Sequence, residues 1–472
     1  MTDLALFING SWRLGEGRDA SAVVDPSTGN TIAGVAHATA ADLDEALDTA
    51  DRAFKPWRAT DVETRAGILR KAASLLRERA DDIARTLTTE QGKPLSEARG
   101  EIMSSAMMFD WYAEEAKRAY GRVLVRPSGQ RSIVVKQPVG PVAAFSPWNF
   151  PVYLMAKKLA AALAAGCSVI SKPPEETPGC TTALAKCLED AGLPKGVLQV
   201  VFGVPDMVSR HLIASPVIRK VSFTGSVPVG KHLIKLAADG VKRVTMELGG
   251  HAPVLIFDDC DLEKTLDMVV PQKFRNAGQV CVSPTRFYVQ AGIYDAFITG
   301  FAKRTAGVKT GNGLDADTKM GPLANVRRPA AIGALVEDAR AKGAKVLAGG
   351  ERGTNGFFFQ PTLLADVPDS ADIMSNEPFG PVAVTAPFET FDDAIEKANR
   401  LPFGLAAFAF TENGRRANML GDAIESGMVG INTFAISMAD APFGGVKESG
   451  FGSEGGSEGL DSYMVVKAVH QV

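Results

Sequence analysis

The stretch "PVAAFSPWNFP" (residues 141–151) decides how the middle of the chain folds. It holds a short apolar run followed by a helical pattern, and this alternation repeats up to residue 249. The apolar runs are Val142–Phe145, Ser168–Ser171, Leu198–Phe202, Lys220–Phe223 and Arg243–Met246. The helical patterns between them cover residues 153–165, 177–191, 205–213 and 228–238. Strands that alternate with helices predict a buried parallel sheet with helices on both faces, and such sheets bind ligands at the carboxyl ends of their strands.

Other regions flank this series. Residues 42–118 carry apolar residues at helical spacing with charged faces between them, which predicts helices. The segment "RSIVVKQPVG" (131–140) alternates like a strand and predicts an exposed ribbon. A second series of strands and helices runs from residue 251 to about 440, and a strand-like tail, "SYMVVKAVHQV" (462–472), follows. The predicted fold class is therefore α/β.

The composition narrows the classes of function. The 472 residues are 46% apolar and 22% charged with a net charge of −3, which is typical of a soluble enzyme. No basic block stands out, so nucleic acid is not expected as a partner. No apolar run is long enough to cross a membrane and no secretory signal begins the chain, so a cytoplasmic protein with no membrane partner is expected. Five cysteines and five histidines form no metal-ligand cluster, so no metal site is expected.

Two glycine-rich segments resemble nucleotide-binding motifs. Gly450, Gly452 and Gly455 form a GxGxxG, but no βαβ unit follows, so we interpret the segment as a flexible loop. The segment "GSVPVGKH" (225–232) follows a strand pattern and opens a helix, so its backbone amides can hold a phosphate. His232 stands where a P-loop has a hydroxyl, which argues against NTP hydrolysis. A plain strand–helix turn is the alternative for this segment.

The segment "ISKPPEETP" (170–178) ends another strand of the same predicted sheet. Glu175 is placed there to accept hydrogen bonds from ribose hydroxyls, and Lys172 can reach the same ribose. A carboxylate at this point repels a 2′-phosphate, which favours NAD over NADP as the cofactor. The alternative is an acidic residue at a helix N-terminus with no role in binding.

Five motifs, taken together in their order and spacing, resemble the NAD(P)-dependent aldehyde dehydrogenase superfamily over nearly the whole chain. They are "SPWNFP" (146–151), "FTGS" (223–226), "MELGG" (246–250), "GQVC" (278–281) and "NEPFGP" (376–381). The resemblance implies three parts: a Rossmann-like parallel-sheet NAD-binding domain, an α/β catalytic domain and a small β oligomerisation ribbon that makes a homodimer or homotetramer. Their predicted bounds are 1–119 with 139–248, then 249–445, then 120–138 with 446–472.

The chemistry of aldehyde oxidation assigns roles to the motif residues. A thiolate attacks the aldehyde and leaves a thioester that hydrolyses readily, and Cys281 is the candidate. The amide of Asn149 and the backbone N–H of Cys281 can donate to the oxyanion of the adduct. Glu247 resembles the family's general base, which activates water. Lys158 and Glu454 match positions that the family links to proton relay, although Lys158 as a solvated helix residue is the alternative.

The resemblance also assigns the cofactor contacts. Glu377 matches the acid that holds the nicotinamide ribose, and Phe379 lies against that ribose. The residues that match adenosine and pyrophosphate contacts are Trp148, Lys172, Glu175, Gly225 and Ser226. Because Glu247 is present, release of a free acid is expected rather than acyl transfer to coenzyme A.

Three polar residues predict the substrate. Arg275, Lys157 and Ser437 stand at positions where succinic semialdehyde dehydrogenases carry two basic residues and a serine, which together hold a distal carboxylate. Succinic semialdehyde is therefore the first candidate, and α-ketoglutaric semialdehyde is the second. Lys157 departs from the usual arginine, and its alternative is a side chain that faces solvent. The alternative for Arg275 is a salt bridge that shapes its loop.

Two rival functions remain from the sequence alone. A thiol esterase would need a histidine beside Cys281, and His251 is the one near a proposed site residue, without a Cys–His–Asn pattern. A non-catalytic binding protein would have no need of the complete set of Cys281, Glu247 and Asn149.

Overall fold

The structure is a computed structural model that describes residues 4–15 and 17–472. The strands are β1 (Leu6–Ile8), β2 (Ser11–Arg13), β3 (Ala20–Val24), β4 (Thr31–Ala36), β5 (Arg122–Leu124), β6 (Arg131–Pro138), β7 (Val142–Phe145), β8 (Val169–Lys172), β9 (Leu198–Val200), β10 (Lys220–Thr224), β11 (Arg243–Glu247), β12 (Ala252–Ile256), β13 (Pro284–Gln290), β14 (Lys345–Ala348), β15 (Thr362–Ala365), β16 (Val382–Phe388), β17 (Phe403–Gly404), β18 (Ala406–Phe410), β19 (Met428–Ile431), β20 (Val446–Lys447), β21 (Gly450–Phe451) and β22 (Met464–Gln471).

The first four helices of the chain confirm the helices predicted for residues 42–118. The helices are α1 (Ala40–Ala59), α2 (Val62–Glu78), α3 (Ala80–Gln91), α4 (Leu95–Glu115), α5 (Pro151–Ala165), α6 (Pro178–Asp190), α7 (Pro205–Ala214), α8 (Val227–Asp239), α9 (Leu262–Phe274), α10 (Tyr294–Ala306), α11 (Arg327–Ala341), α12 (Phe391–Asn399), α13 (Gly414–Ala423) and α14 (Gly456–Asp461). Among the described residues, no helix has both the length and the apolar composition needed to cross a membrane.

The first sheet confirms the strand series predicted for residues 141–249. Its order is β2-β1-β9-β8-β7-β10-β11-β21, and the strands from β9 to β11 run parallel. Ser222 in β10 lies opposite Ala144 in β7 on one side and Thr245 in β11 on the other. The carboxyl ends of these strands therefore share one edge of the sheet. Asn149 follows β7 at that edge, Gly225 follows β10, and Glu247 ends β11.

The second sheet has the order β14-β15-β16-β13-β12-β18-β19, with β14 antiparallel and its other strands parallel. Its five inner strands, from β15 to β18 in this order, are mostly buried and pack into a separate apolar core. Cys281 comes shortly before β13, and Glu377 comes shortly before β16. Because β13 and β16 are parallel neighbours, these two residues arrive at the same edge.

A ribbon of three antiparallel strands, β5, β6 and β22, lies apart from both sheets. Met464 pairs with Pro138 at one end of the ribbon, and Gln471 pairs with Arg131 at the other. The strand predicted for residues 131–140 is confirmed as β6, but the predicted exposure is wrong, because only Arg131 in this strand is exposed and Ser132 and Val134 are buried.

The segment with the GxGxxG pattern is not a flexible loop, so that prediction is wrong. Gly450 and Phe451 form β21, which pairs antiparallel with the end of β11. Gly450 has φ of 121°, and a Cβ there would meet the carbonyl oxygen of Met246 at 1.8 Å. Glycine is thus required because two backbones approach closely. Within the predicted ribbon segment 446–472, this pair of residues belongs to the edge of the first sheet.

A buried ion pair positions helix α5, which carries several predicted site residues. No side chain of its own first turn caps this helix. Instead, Glu101 from α4 accepts hydrogen bonds from the backbone N–H groups of Val152 and Tyr153 at 2.9 and 3.2 Å. The other carboxylate oxygen of Glu101 accepts from Lys93 at 2.6 Å, and Lys93 also donates to the Asn149 carbonyl at 2.7 Å. This arrangement ties α4, β7 and α5 together.

Substitution of Glu101 by leucine tests the ion pair. The change leaves the buried Lys93 ammonium without its carboxylate, which costs about 3–5 kcal/mol. We expect the thermal unfolding midpoint to fall by at least about 5 °C, measured by circular dichroism. The double variant Glu101→Leu with Lys93→Met removes both charges and should recover part of this loss. If the double variant is no more stable than Glu101→Leu, the buried charge is not the cause.

Candidate active site

The loop that carries Cys281 has a strained backbone. Asn276, Ala277 and Gly278 have φ values of 49°, 52° and 69°, so three consecutive residues are left-handed. A Cβ on Gly278 would lie 2.0 Å from the carbonyl oxygen of Gly380, which leaves no room for another residue. The side-chain amide of Asn276 donates to the Asn149 carbonyl at 2.9 Å. The loop is therefore held against the end of β7, and strain of this kind is common where a reactive group is positioned.

Two cavities meet at Cys281. One has a volume of about 480 Å³ and is lined from the first sheet by Asn149, Gly225 and Glu247. The other has a volume of about 260 Å³ and is lined by residues of α4, α5 and the Cys281 loop. Cys281 is the residue that both cavities share. A group on its sulfur thus faces one chamber on each side.

Five of the seven predicted cofactor residues line the larger cavity: Trp148, Gly225, Ser226, Glu377 and Phe379. Lys172 and Glu175 do not line it. The Lys172 ammonium lies 2.5 Å from a carboxylate oxygen of Glu175, so these two residues pair with each other. Glu175 lines a neighbouring cavity of about 290 Å³ that shares Asn325 and Arg327 with the larger one. The sequence interpretation missed Asn325, Arg327 and Arg328, which carry none of the five motifs.

The walls of the larger cavity fit a dinucleotide. A Cβ on Gly249 would lie 2.7 Å from Glu377 Oε2, so a glycine is required for this carboxylate to enter the cavity. Burial raises the pKa of Glu377 to about 8, although Arg328 opposes that rise. The Trp148 and Phe379 rings meet edge to face at 5.6 Å, and Phe379 has a φ of 42°. A carboxylate, glycine turns at strand ends and two aromatic rings suit ribose and pyrophosphate groups.

Cys281, Glu247 and Asn149 are brought together as predicted. Burial raises the pKa of the Cys281 thiol to about 12, Glu377 adds to the rise, and Lys157 opposes it. Burial also raises the pKa of Glu247 well above its usual value, and both of its carboxylate oxygens are buried without a hydrogen-bond partner. The Asn149 amide donates to the Gln279 carbonyl at 3.1 Å.

Lys158 and Glu454 form a buried ion pair behind Glu247. The Lys158 ammonium donates to Glu454 at 2.5 Å, to Thr224 at 2.8 Å and to Ser222 at 3.3 Å. The alternative of a solvated Lys158 is therefore wrong, because the side chain is fully buried. The other carboxylate oxygen of Glu454 is buried and has no partner. The Glu454 charge adds to the rise in the pKa of Glu247.

The three predicted substrate residues, Lys157, Arg275 and Ser437, all line the smaller cavity with Cys281. Lys157 is fully buried, so its alternative of facing solvent is wrong. Its ammonium lies 3.6 Å from the ring centroid of Phe443 and 5.0 Å from that of Tyr153.

Arg275 is exposed, and its guanidinium lies over the Phe150 ring at 5.1 Å. Within the described residues Arg275 forms no salt bridge. The alternative, in which a salt bridge of Arg275 shapes its loop, is therefore wrong. The aromatic walls Phe150, Tyr153 and Phe443 were missed by the sequence interpretation, because isolated aromatic residues have no pattern of their own.

His251 is not placed to serve Cys281. It lines neither cavity, and its Nε2 atom pairs with the Ile373 carbonyl oxygen at 2.8 Å. Burial lowers its pKa well below the usual value, so the ring is neutral at pH 7. The arrangement gives no support to a thiol esterase.

The raised pKa of Cys281 predicts a steep pH dependence of its reactivity. Because only the thiolate reacts, alkylation by iodoacetamide should accelerate about tenfold per pH unit from pH 7 to pH 10 without a plateau. Mass spectrometry of the labelled peptide, in the absence of cofactor and substrate, measures the rate. Cys281→Ser corrects for labelling at other cysteines. A plateau near pH 8 would contradict this prediction.

Comparison with known proteins shows the family of the chain. The Aldehyde dehydrogenase family model matches residues 12–469. The chain is 48% identical over 468 residues to the putative 4-(hydroxymethyl)benzenesulfonate dehydrogenase TsaD2 of Comamonas testosteroni, covering 99% of this chain and 98% of that protein. It is 43% identical over 464 residues to the succinate-semialdehyde dehydrogenase (NADP(+)) GabD of Escherichia coli strain K12, covering 98% and 96%.

A solved structure has the same fold. The crystal structure of an E. coli NADP dependent enzyme superposes with a TM-score of 0.97 at 42% identity, covering 99% of this chain and 98% of that chain. The α/β architecture predicted from the sequence is thus the aldehyde dehydrogenase fold. The chain belongs to the aldehyde dehydrogenase family, whose members are enzymes that oxidise aldehydes with NAD(P).

Proposed function

We propose that this enzyme oxidises an aldehyde with an anionic group at its far end to the free carboxylic acid. The observation that carries the proposal is the 260 Å³ cavity, in which Cys281 shares the walls with two cations, Lys157 and Arg275, and the hydroxyl of Ser437. The Lys157 ammonium is buried and has no hydrogen-bond partner. A buried charge without a counter-charge is costly, and an anionic substrate supplies that counter-charge.

The first half of the reaction takes place at the sulfur. The Cys281 thiolate adds to the aldehyde carbon and forms a thiohemiacetal. The Asn149 amide and the Cys281 backbone N–H are the donors for the oxyanion that develops there. When bound in the larger cavity, a nicotinamide cofactor supplies the acceptor for the hydride that leaves the substrate carbon. Glu377 and Phe379, which line this cavity with Cys281, would hold the ribose of the cofactor.

The second half hydrolyses the thioester. Glu247 lines the larger cavity beside Cys281, and both of its oxygens are free to accept a proton from water. Its raised pKa makes it a stronger base than an ordinary glutamate. The Lys158–Glu454 pair behind it can pass the proton on. Release of a free acid follows from this base, in place of acyl transfer to coenzyme A.

Succinic semialdehyde is the first candidate substrate. It combines an aldehyde with a carboxylate that Arg275, Lys157 and Ser437 can hold, and a relative at 43% identity is named for that substrate. α-Ketoglutaric semialdehyde is the second candidate, since it carries the same distal carboxylate. The relative at 48% identity is named for a sulfonated compound, which extends the proposed class from carboxylates to other distal anions.

NAD is the proposed cofactor, with NADP disfavoured. A 2′-phosphate needs a cation, and the Lys172 ammonium is already paired with Glu175. Glu175 also accepts a hydrogen bond from the Gly203 backbone at 3.2 Å, which fixes the carboxylate beside the strand ends. Its negative charge would repel the extra phosphate of NADP.

The assembly and location proposals follow from other features. Val123 and Val466 on the ribbon are 74% and 66% exposed, and a second subunit would cover them, which supports a homodimer or homotetramer. The proposed domain division has its predicted bounds except that Gly450 and Phe451 join the first sheet, and the ribbon is the proposed oligomerisation part. All five cysteines are free, which supports a cytoplasmic location.

Comparison of succinic semialdehyde with butanal tests the anionic class. Butanal leaves the cations unpaired, so we expect kcat/KM for succinic semialdehyde to be at least about tenfold higher. Arg275→Met should lower the ratio of the two values by about threefold or more, because one cation is lost. The kcat/KM values for the two aldehydes are measured, in wild type and variant, from the change in nicotinamide absorbance. Arg99→Met, which removes an exposed arginine elsewhere, is the control and should keep the ratio. Equal efficiency for the two aldehydes would overturn the proposal.

Substitution of Glu175 tests the choice of cofactor. Glu175→Gln removes the repelling charge and releases Lys172, so the NAD-to-NADP ratio of kcat/KM should fall by at least about tenfold. Initial rates at matched low concentrations of each cofactor give the ratio. Glu63→Gln, an exposed position on α2, is the matched control. A wild-type enzyme that uses both cofactors equally would show that the Glu175 argument is wrong.

A further inference from the structure

Two consecutive lysines of α5, Lys157 and Lys158, are both buried but differ in whether their ammonium groups have partners. Lys158 has three hydrogen-bond partners and a counter-charge in Glu454. Lys157 is equally buried, yet its ammonium has no hydrogen-bond partner and forms no salt bridge in the part of the chain that the structure describes. The helix thus carries one satisfied ammonium and one unsatisfied ammonium at adjacent positions, and the unsatisfied one lines the smaller cavity with Cys281.

The aromatic neighbours of Lys157 stabilise its charge without neutralising it. Its ammonium lies against the faces of Phe443 and Tyr153, and such cation–π contacts contribute to binding a cation but leave its field in place. In a buried environment that field reaches further than it does in water. The ionisable groups around the same cavity must therefore respond to it.

The groups that face Cys281 come from several elements. Glu377 and Glu247 are carboxylates from the larger cavity, and both oppose ionisation of the thiol. Lys157, from the smaller cavity, favours ionisation. Arg275 shares that cavity, but it is exposed and stacks on Phe150. Glu101, the remaining charged group in the wall, is held by Lys93. Lys157 is thus the buried, unpaired cation on the substrate side of the sulfur.

We propose that the Lys157 ammonium stabilises the Cys281 thiolate, in addition to contacting the far end of the substrate. This inference rests on the proposed function, in which Cys281 is the nucleophile. The same charge also acts on Glu247, where it favours the carboxylate form of the base. One unpaired ammonium therefore supports both groups that must lose a proton, and it does so before any substrate binds.

Stabilisation of the Cys281 thiolate by Lys157 predicts an effect on neutral aldehydes, which anion binding alone does not. If Lys157 only held the substrate anion, its loss would leave neutral aldehydes unaffected. If it also supports the thiolate, its loss slows the oxidation of every aldehyde. Butanal and succinic semialdehyde therefore separate the two roles.

The experiment compares wild type, Lys157→Met and Lys157→Arg. Methionine has a similar length and no charge, and thermal melting checks that the variants are folded. The first readout is the rate at which iodoacetamide, a neutral reagent, alkylates Cys281 without substrate or cofactor. We expect Lys157→Met to react about three- to tenfold more slowly, with its pH profile displaced to higher pH by about one unit. Lys157→Arg should keep most of the wild-type rate, because it retains the charge.

The second readout is kcat/KM for butanal, which should fall in Lys157→Met by a factor similar to the fall in the alkylation rate. Lys55→Met, which removes an exposed lysine of α1, controls for a general loss of positive charge. An unchanged alkylation rate in Lys157→Met, or a loss confined to succinic semialdehyde, would overturn the inference. These outcomes differ from failure of the proposed function, which would show as equal wild-type efficiency for the two aldehydes.

Discussion

Parallel pairing of β7, β10 and β11 is the constraint on which the site depends. Strands that run the same way end at the same edge, so Asn149, Gly225 and Glu247 converge although nearly a hundred residues separate the first from the last. The second sheet applies the same rule to Cys281 and Glu377, which precede the parallel neighbours β13 and β16. The two edges meet at one cavity, and Cys281 lies between that cavity and the smaller one.

Burial then determines the chemistry of these groups. Away from water, a charge is costly unless another group pairs with it. The structure pairs some ionisable groups fully, such as Lys93 with Glu101 and Lys158 with Glu454. It leaves others unpaired at the cavity walls, where Glu247 and Lys157 have no hydrogen-bond partner. The paired groups hold the helices and strands in place, and the two unpaired ones line the two cavities at Cys281.

Much of the fold and part of the site could be predicted because their signals are local. The alternation of apolar and helical runs gave the five parallel strands to within a few residues, and the five motifs located Cys281, Glu247, Asn149 and Glu377. The prediction for the GxGxxG segment was wrong because its order comes from pairing with β11, some two hundred residues away in the chain. Asn325, Arg327 and Arg328 were missed because nothing in their own neighbourhood marks them as cavity residues.

The sequence by itself determined the fold class, the succession of strands and helices along the chain and the choice of candidate site residues, since these follow from periodicity and short motifs. Tertiary structure alone decided the environment of each charge. It paired Lys172 with Glu175, buried Lys158 against Glu454 and left the adjacent Lys157 without a counter-charge. The physical reason is that the free energy of a charge depends on its distance from other charges and from water. Those distances are set by contacts between residues far apart in the chain, which no local pattern contains.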